Sequence, residues 1–337
     1  MKTANLSQAG QPGPAGQASG AKLGGPTSPK VSPGRSGGNL WSRIKQHRTI
    51  YLLILPGVLF FILFKFVPMW GLLLSLKDFN PYLGFAGSEW VGFAHFVDLF
   101  NDPKFYIMLR NTFMINMIGL VFHFPVPILL ALMLNEIRHE GFKRFNQSIV
   151  YLPHFLSWVV VASMTFFILS ADVGIVNKLI AESGRDTISF LSNPNYFWGL
   201  ITAQVMWKEA GWGTIIFLAA MAGVDPSRYE AAVVDGASRF RQIWHVTLPA
   251  IRPTIVILLV LRLGNMMDTG FEQILLMMNP LVMSVAEVFD TYAYTFGILQ
   301  GQISIGVAVG LFKGLVGLVL IVIANTIVKR LGYEGIY

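Results

Sequence analysis

The sequence contains no cysteine, and only 13% of its 337 residues are charged. The missing cysteines exclude a disulfide framework, a thiolate metal site and a cysteine nucleophile. An ordinary soluble domain carries about one-quarter charged residues, whereas this chain is 54% hydrophobic, with a mean hydropathy of +0.57. A chain this apolar cannot cover its surface with polar groups. We therefore expect part of the protein surface to contact membrane lipid.

Large apolar side chains are almost absent from residues 1–40, which are rich in Gly, Pro, Ser, Ala and Gln. Such a segment cannot bury enough surface to offset its ordering entropy, so we expect a disordered cytoplasmic tail. The first apolar run begins near Ile50, and no small-residue cleavage pattern of a signal peptide follows it. The chain therefore divides into a tail, 1–40, and a membrane domain, 41–337.

Six stretches of the membrane domain are long enough to cross a bilayer, which takes roughly 20 apolar residues as helix. Transmembrane β-strands would be short and alternating, which these stretches are not. We therefore expect an all-α fold, a polytopic bundle of six transmembrane helices. The predicted spans are Ile50–Leu74, Tyr106–Leu134, Ser148–Leu169, Phe197–Ala222, Pro253–Met278 and Ile303–Val328.

The basic residues give the predicted bundle an orientation. With the amino terminus inside, 16 of the 25 Lys and Arg residues fall in inner segments and 4 in outer segments. An excess of Lys and Arg marks cytoplasmic loops, so both termini are expected in the cytoplasm of a bacterial cell. The net charge of +7 is thus explained by topology, and no nucleic-acid partner is needed.

The inner segment between the fourth and fifth predicted spans has the pattern of a helix–turn–helix. Asp225 can cap a first helix that begins at Pro226, and Gly236 allows a tight turn that a residue with a Cβ would resist. Ser238 can cap a second short helix to about His245, before Pro249 marks the transition to the fifth span. From this pattern alone, a docking surface and a merely helical connection are equally good interpretations.

The same segment reads E-A-A-x3-G-x9-V-T-L-P between Glu230 and Pro249. It resembles the EAA loop of type I ABC importer permeases, in which Ile stands at the position of Val246. The resemblance implies that the loop docks into a cleft of a separate ATPase subunit. By position, the coupling residues are Glu230, Ala231, Ala232, Asp235, Gly236, Ala237, Phe240, Leu248 and Pro249.

Three further strings, Tyr151–Trp158, Trp207–Trp212 and Ile216–Pro226, look like the polysaccharide branch of these permeases. That branch includes importers of alginate and rhamnogalacturonan oligosaccharides. The resemblance therefore implies a carbohydrate permease for an oligosaccharide.

The chain has no Gly-Lys pair, so it lacks the P-loop that would cradle ATP phosphates. The resemblance implies separate partners: an ABC ATPase dimer, a second permease subunit and an extracytoplasmic solute-binding protein. ATP and Mg would be used by the ATPase, while this chain would bind no cofactor or metal and would carry no catalytic residue. A heterodimer of two different permeases is expected.

Charged residues inside predicted spans are costly and by default indicate function. Lys208 and Glu209 lie between Trp207 and Trp212 near the middle of the fourth span, and Arg262 lies within the fifth. Aromatic faces can stack on sugars while charges bind hydroxyls or carboxylates, so these five residues are substrate-path candidates. An internal ion pair with packed tryptophans explains Lys208 and Glu209 equally well, and the pattern is compatible with an acidic or a neutral sugar.

Other ionisable residues in the predicted spans have weaker functional interpretations. Asp268 and Glu272 would share one helix face at a spacing of four. His123 is expected to pack as a hydrogen-bonded residue beside a helix bend. Lys313 would either snorkel to the membrane surface or pair with a neighbouring helix.

The main alternative function is an ion-gradient-driven secondary transporter. Such proteins often carry inverted repeats, but the first and last three predicted spans show no such repeat. A cytoplasmic docking loop would also have no role in that class of protein. An intramembrane enzyme is a second alternative, although H-E-x-x-H and G-x-S-x-G are both absent from the sequence.

Overall fold

A computed structural model describes residues 47–332 and Gly335, so the predicted tail, 1–40, lies outside the described residues. The chain divides into two compact units, Met1–Phe61 and Ile62–Tyr337. The described part of the first unit is the apolar helix Arg48–Phe61, in which every residue is exposed. A helix that is apolar all round and uncovered is typical of a membrane environment.

Helices make up most of the second unit. Its longer α-helices are Lys104–Ile118, Pro125–Asn135, Glu140–Tyr151, Trp158–Leu169, Pro194–Ala222, Leu248–Gly264 and Ile303–Arg330. Its shorter α-helices are Val67–Met69, Gly84–Gly87, Ala94–Asn101, Ile175–Glu182, Pro226–Val234, Arg239–Gln242, Phe271–Met277, Met283–Ala286 and Phe289–Tyr292. Trp70–Leu76 and Leu152–Phe155 are 3₁₀-helices, and Ile62–Phe66, Gly119–His123, Ile243–Thr247 and Ala293–Leu299 are π-helical. Lys77–Asp78 and Glu89–Trp90 form one small antiparallel ladder, in which Lys77 pairs with Trp90.

Four helices among the described residues are long and apolar enough to cross a membrane: Arg48–Leu76, Lys104–Asn135, Arg239–Gly264 and Ile303–Arg330. Glu140–Phe155 and Trp158–Leu169 make a fifth if this pair, bent by 99°, is one span. Pro194–Ala222 is about 43 Å long at 1.5 Å per residue, although Gln204, Lys208 and Glu209 lie in its middle. The all-α membrane fold is confirmed, and the count of six spans stays a prediction.

The fifth predicted span, Pro253–Met278, is wrong at both ends. The helix begins at Arg239 and ends at Gly264, and a new helix starts only at Phe271. Gly270 precedes it with a φ of +78°, a left-handed conformation that a continuing α-helix cannot contain. Asp268 and Glu272 therefore do not share a helix face, because the chain breaks between them.

The helix Pro194–Ala222 organises the second unit. It packs against Pro125–Asn135 and the 3₁₀ turn Leu152–Phe155, while the last helix, Ile303–Arg330, packs against Trp70–Leu76 and Leu248–Gly264. The buried side chains of Ala131, Phe217, Met221 and Ile251 form a cluster next to the segment that carries the E-A-A pattern. Val224 and Leu248, at the two ends of that segment, pack against this cluster.

Candidate coupling loop and central chamber

Residues 222–249, here called the coupling loop, begin with the predicted helix cap. The Asp225 carboxylate accepts a hydrogen bond of 3.0 Å from the Ser227 backbone N–H, and the helix runs from Pro226 to Val234. This hydrogen bond holds the pKa of Asp225 below its usual range, because it favours the charged form. The first arm of the loop is therefore started by the residues that the sequence indicated.

The turn between the two arms depends on Gly236. Its φ is +73°, and the Ala237 N–H donates across it to the Ala232 carbonyl at 2.8 Å. This is the six-to-one hydrogen bond with which a left-handed residue closes a helix end. A side chain on Gly236 would meet open space, so the constraint at this position is the backbone conformation.

The sequence predicted that the second arm ends near His245, but in the structure it continues beyond that residue. Helical structure continues from Arg239 to Gly264 through a π-helical turn, Ile243–Thr247. A proline inside a helix leaves a carbonyl unbonded and crowds the preceding turn, and a wider π turn gives the ring of Pro249 room. The second arm is therefore the beginning of the membrane-crossing helix itself.

Two side-chain hydrogen bonds brace the loop. The Tyr229 hydroxyl on the first arm lies 3.0 Å from the Thr247 hydroxyl on the second, and Thr247 is buried. Gln242 donates from Nε2 to the Ala237 carbonyl at 2.9 Å. The first hydrogen bond joins the two arms, and the second fixes the start of the second arm just after the turn.

The coupling residues inferred from the resemblance present a mixed surface. Glu230, Ala231, Asp235, Gly236 and Pro249 are exposed, and Ala232, Ala237 and Leu248 are half-buried. Phe240 is 70% exposed, and Val234, at the end of the first arm, is 86% exposed. Exposed apolar side chains on a polar loop are typical of an interaction site.

Lys208 and Glu209, within the fourth predicted span, form an ion network with His154 of the third. Lys208 is buried, and its Nζ lies 3.0 Å from Glu209 Oε1 and donates to the His154 carbonyl at 2.8 Å. His154 Nδ1 lies 2.7 Å from Glu209 Oε2, and its ring stacks on Trp212 at 4.6 Å. The positive charge of Lys208 is therefore matched by an adjacent carboxylate.

A cavity of about 190 Å³, here called the central chamber, contains two of the five substrate-path candidates. Arg262 donates from Nη2 to Asn116 Oδ1 at 3.3 Å, and Glu209 faces the same space. The other polar or aromatic lining residues are Asn116, His123, Trp158, Thr202, Asp268, Thr269 and Gln273. The chamber thus lies between the second, third, fourth and fifth predicted spans.

The remaining path candidates lie elsewhere. Trp207 lines an apolar cavity with Val161 and Leu200, and Trp212 covers the face of His154. Sequence reasoning did not select Asn116, Thr202 or Gln273. Their only sequence signal is that they are polar residues within or next to apolar spans.

Lys313 pairs with carboxylates on two other elements. Its Nζ lies 2.8 Å from Asp268 Oδ1 and also contacts Asp290 Oδ1. The Lys313 side chain is 11% exposed and that of Asp290 20%. The ion cluster links the last helix to the break after Gly264 and to the helix Phe289–Tyr292.

Residues 123–333 match the family described as the inner membrane component of binding-protein-dependent transport systems. The chain belongs to this family. It is a multi-pass permease subunit of an ABC transporter, which has no ATPase site of its own, and membership does not favour an ion-gradient-driven transporter.

Relatives and solved structures agree with this family. The chain is 51% identical over 295 residues to the polygalacturonan/rhamnogalacturonan transport system permease protein YteP of Bacillus subtilis (strain 168), covering 88% of this chain and 92% of YteP. It is 52% identical over 294 residues to the protein LplB of the same strain, covering 87% and 92%. The chain also resembles a chain of a solved bacterial alginate ABC transporter, whose structure contains an alginate pentasaccharide-bound periplasmic protein. The two chains superpose with a TM-score of 0.80 and 39% sequence identity, covering 88% of this chain and 99% of that chain.

Proposed function

We propose that this chain is a permease subunit of an ATP-driven importer of oligosaccharides that carry uronic acids. The observation that carries the proposal is the 51% identity, over 88% of the chain, to a polygalacturonan/rhamnogalacturonan permease. The relationship to a solved alginate transporter chain at 39% identity supports the same substrate class, because alginate and polygalacturonan are both polymers of uronic acids.

The coupling loop gives the proposed importer a mechanical connection. Its exposed face, with Glu230, Gly236 and Phe240, is the surface that would enter a cleft of the ATPase. Its second arm continues without interruption into the helix that ends at Gly264. A displacement of the loop by the ATPase would therefore shift Arg262 and the wall of the central chamber.

The proposed assembly contains four kinds of subunit. This chain would pair with a different permease of similar topology, and an ABC ATPase dimer would hold ATP and Mg on the cytoplasmic side. An extracytoplasmic solute-binding protein would deliver the sugar, by analogy with the solved alginate transporter, whose periplasmic protein holds an alginate pentasaccharide. Both termini and the coupling loop would face the cytoplasm of the bacterial cell.

Among the basic residues in and around the central chamber, Arg262 is the one that we propose recognises an acidic sugar. Arg262 lines the chamber, whereas Lys208 is engaged by Glu209 and by the His154 carbonyl. A guanidinium has planar donors that suit a carboxylate, and attraction is only weakly screened in a low-dielectric setting. Arg262 would therefore bind a uronate, and Lys208 would hold Glu209 in place.

The proposal is tested with the complete transporter in proteoliposomes. ATP hydrolysis is measured with oligogalacturonates and with their neutral methyl esters, in wild type and in Arg262→Gln, Arg262→Lys and Lys208→Gln. We expect wild type to respond to the acidic sugars, and Arg262→Gln to lose about tenfold or more in apparent affinity for them, as for a lost charged hydrogen bond. Arg262→Lys should restore part of the loss.

Stimulation by neutral sugars alone, unchanged in all three variants, would overturn the acidic-substrate proposal. Stimulation by no oligosaccharide at all would overturn oligosaccharide import itself.

A further inference from the structure

The helix that leaves the coupling loop has a weak stretch where the loop meets the membrane-crossing part. Ile243–Thr247 is a π-helical turn, and such turns inside α-helices are rare and often lie at functional sites. Pro249 and Pro253 follow in the same helix, and a proline has no backbone N–H to donate to the preceding turn. Residues 243–253, here called the joint, are therefore held by fewer and less regular backbone hydrogen bonds than the rest of the helix.

A joint at this position affects how motion passes along the helix. The first arm of the coupling loop lies before the joint in the chain, and Arg262 lies beyond it. A displacement of the first arm that reached the helix only through the turn at Gly236 would enter before the joint, where bending could absorb it. A contact at the far end of the π turn would carry the displacement further.

Tyr229 makes such a contact. Its hydroxyl oxygen lies 3.0 Å from Oγ1 of Thr247, which is the last residue of the π turn and is 1% exposed. Among the described residues, this is the one side-chain hydrogen bond that joins the first arm, Pro226–Val234, to another element. No residue of that arm is buried, so the two hydroxyls are its main side-chain link to the membrane helix.

The Tyr229 side chain lies apart from the exposed face of the arm. Tyr229 and Ala232, one helical turn apart, are half-buried, whereas Glu230 and Ala231 are exposed. The E-A-A pattern contains Glu230 and Ala231 but includes neither Tyr229 nor Thr247 among its fixed positions. Removal of the Tyr229 hydroxyl would therefore leave the exposed face of the loop unchanged.

We propose that Tyr229 is a positioning residue that braces the joint. Its hydrogen bond to Thr247 connects the first arm to the end of the π turn, so that a displacement of the arm by the ATPase moves the helix Leu248–Gly264 instead of bending the joint. The inference rests on the proposed function, specifically on the docking of the loop into an ATPase. It adds the side-chain pair through which the loop moves the helix.

The contact can be removed from either side. Tyr229→Phe and Thr247→Val each delete one hydroxyl at nearly constant shape, and Thr247→Ser keeps the hydroxyl. The matched control is Thr214→Val on the helix Pro194–Ala222. Thr214 is also buried, and its hydroxyl donates to the Ala210 carbonyl at 2.7 Å, away from the joint.

The experiment measures how the helix responds to ATP in the complete transporter in proteoliposomes, with the binding protein present and no sugar. Because this chain contains no cysteine, spin labels can be attached at Ile257→Cys, beyond the joint, and at Leu179→Cys, on the helix Ile175–Glu182. Both side chains are exposed, and cysteines of the other subunits are replaced by serine. Pulsed electron paramagnetic resonance then gives the fraction of molecules in which ATP, kept from hydrolysis by EDTA, shifts the distance between the labels.

Loss of one hydrogen bond should lower the ratio of shifted to unshifted molecules about threefold to tenfold in Tyr229→Phe and in Thr247→Val. The double variant should fall no further than either single variant, because both changes remove the same contact. Thr247→Ser should keep most of the response, and Thr214→Val should match wild type. The amount of ATPase that co-purifies with the permease should stay at the wild-type level in every variant, because the exposed face of the loop is unchanged.

A wild-type ratio in Tyr229→Phe would overturn the brace, as would decreases that add up in the double variant or a matching loss of bound ATPase. A wild type in which ATP leaves the label distance unchanged would overturn it as well. If the wild type retains no ATPase, the proposed function and the brace fail together. A transporter whose labels respond to ATP as expected but that takes up no trigalacturonate would contradict the proposed substrate and leave the brace standing.

Discussion

Gly236 is the single residue on which the geometry of the coupling loop depends most. With a φ of +73°, it occupies a conformation that costs a residue with a Cβ roughly 1–2 kcal/mol. Gly236→Leu should therefore distort the turn while leaving the helices at either side intact. We expect substrate uptake and substrate-stimulated ATP hydrolysis to fall together in a correctly inserted protein.

The matched control is Gly236→Asn, because Asn tolerates the left-handed region better than other non-glycine residues. If the positive φ is what the loop needs, Gly236→Asn should retain more coupling than Gly236→Leu. If close approach of the ATPase is what matters, both variants should uncouple. Normal coupling in Gly236→Leu would contradict the assignment of this loop.

The substrate-path residues show how far single positions can be predicted from the sequence. Charged residues in apolar spans stand out, and Glu209 and Arg262 do lie together at the chamber. Gln273, in contrast, follows a chain break that hydropathy does not reveal. Asn116 became a candidate only because its side chain accepts a hydrogen bond from the Arg262 guanidinium, 146 positions away in sequence. Such a pairing depends on how the helices pack and cannot be predicted from local sequence.

At the scale of elements, the sequence predicted the capped first arm and the turn of the coupling loop, because Asp-Pro and Gly have strong local preferences. It did not predict that the second arm continues into the membrane. Pro249 favours a helix start in an isolated segment, but the helix continues past it through a π turn at Ile243–Thr247. Packing of neighbouring helices decides such cases.

The ion cluster of Lys313 gives the last helix a testable role. Lys313→Met keeps the length of the side chain but leaves the mostly buried Asp290 carboxylate without its cation. Removing one partner of a buried pair costs about 3–5 kcal/mol, so thermal unfolding of the purified transporter in detergent should shift to a clearly lower temperature.

The control is Lys313→Met combined with Asp290→Asn, which removes the uncompensated charge. The double variant should recover much of the lost stability, since interacting sites are not additive. Equal stability of Lys313→Met and wild type would show that the cluster does not hold the helices together.

At the scale of the whole molecule, composition and the long apolar stretches predicted a helical membrane protein, and the E-A-A pattern predicted its family. The helical membrane fold and the family are both confirmed. The central chamber could not be predicted from the sequence, because it is formed by side chains from the second, third, fourth and fifth predicted spans and by a chain break. Its residues come together only when the bundle is packed.

The central claim is that ATP hydrolysis by a separate subunit drives an acidic oligosaccharide through this permease. The most direct measurement is uptake of radiolabelled trigalacturonate into proteoliposomes that contain the complete transporter, with the binding protein outside and ATP supplied to the ATPase side. We predict uptake that requires ATP and persists when ionophores collapse all ion gradients. Uptake that stops with the ionophores, or proceeds without ATP, would contradict the claim.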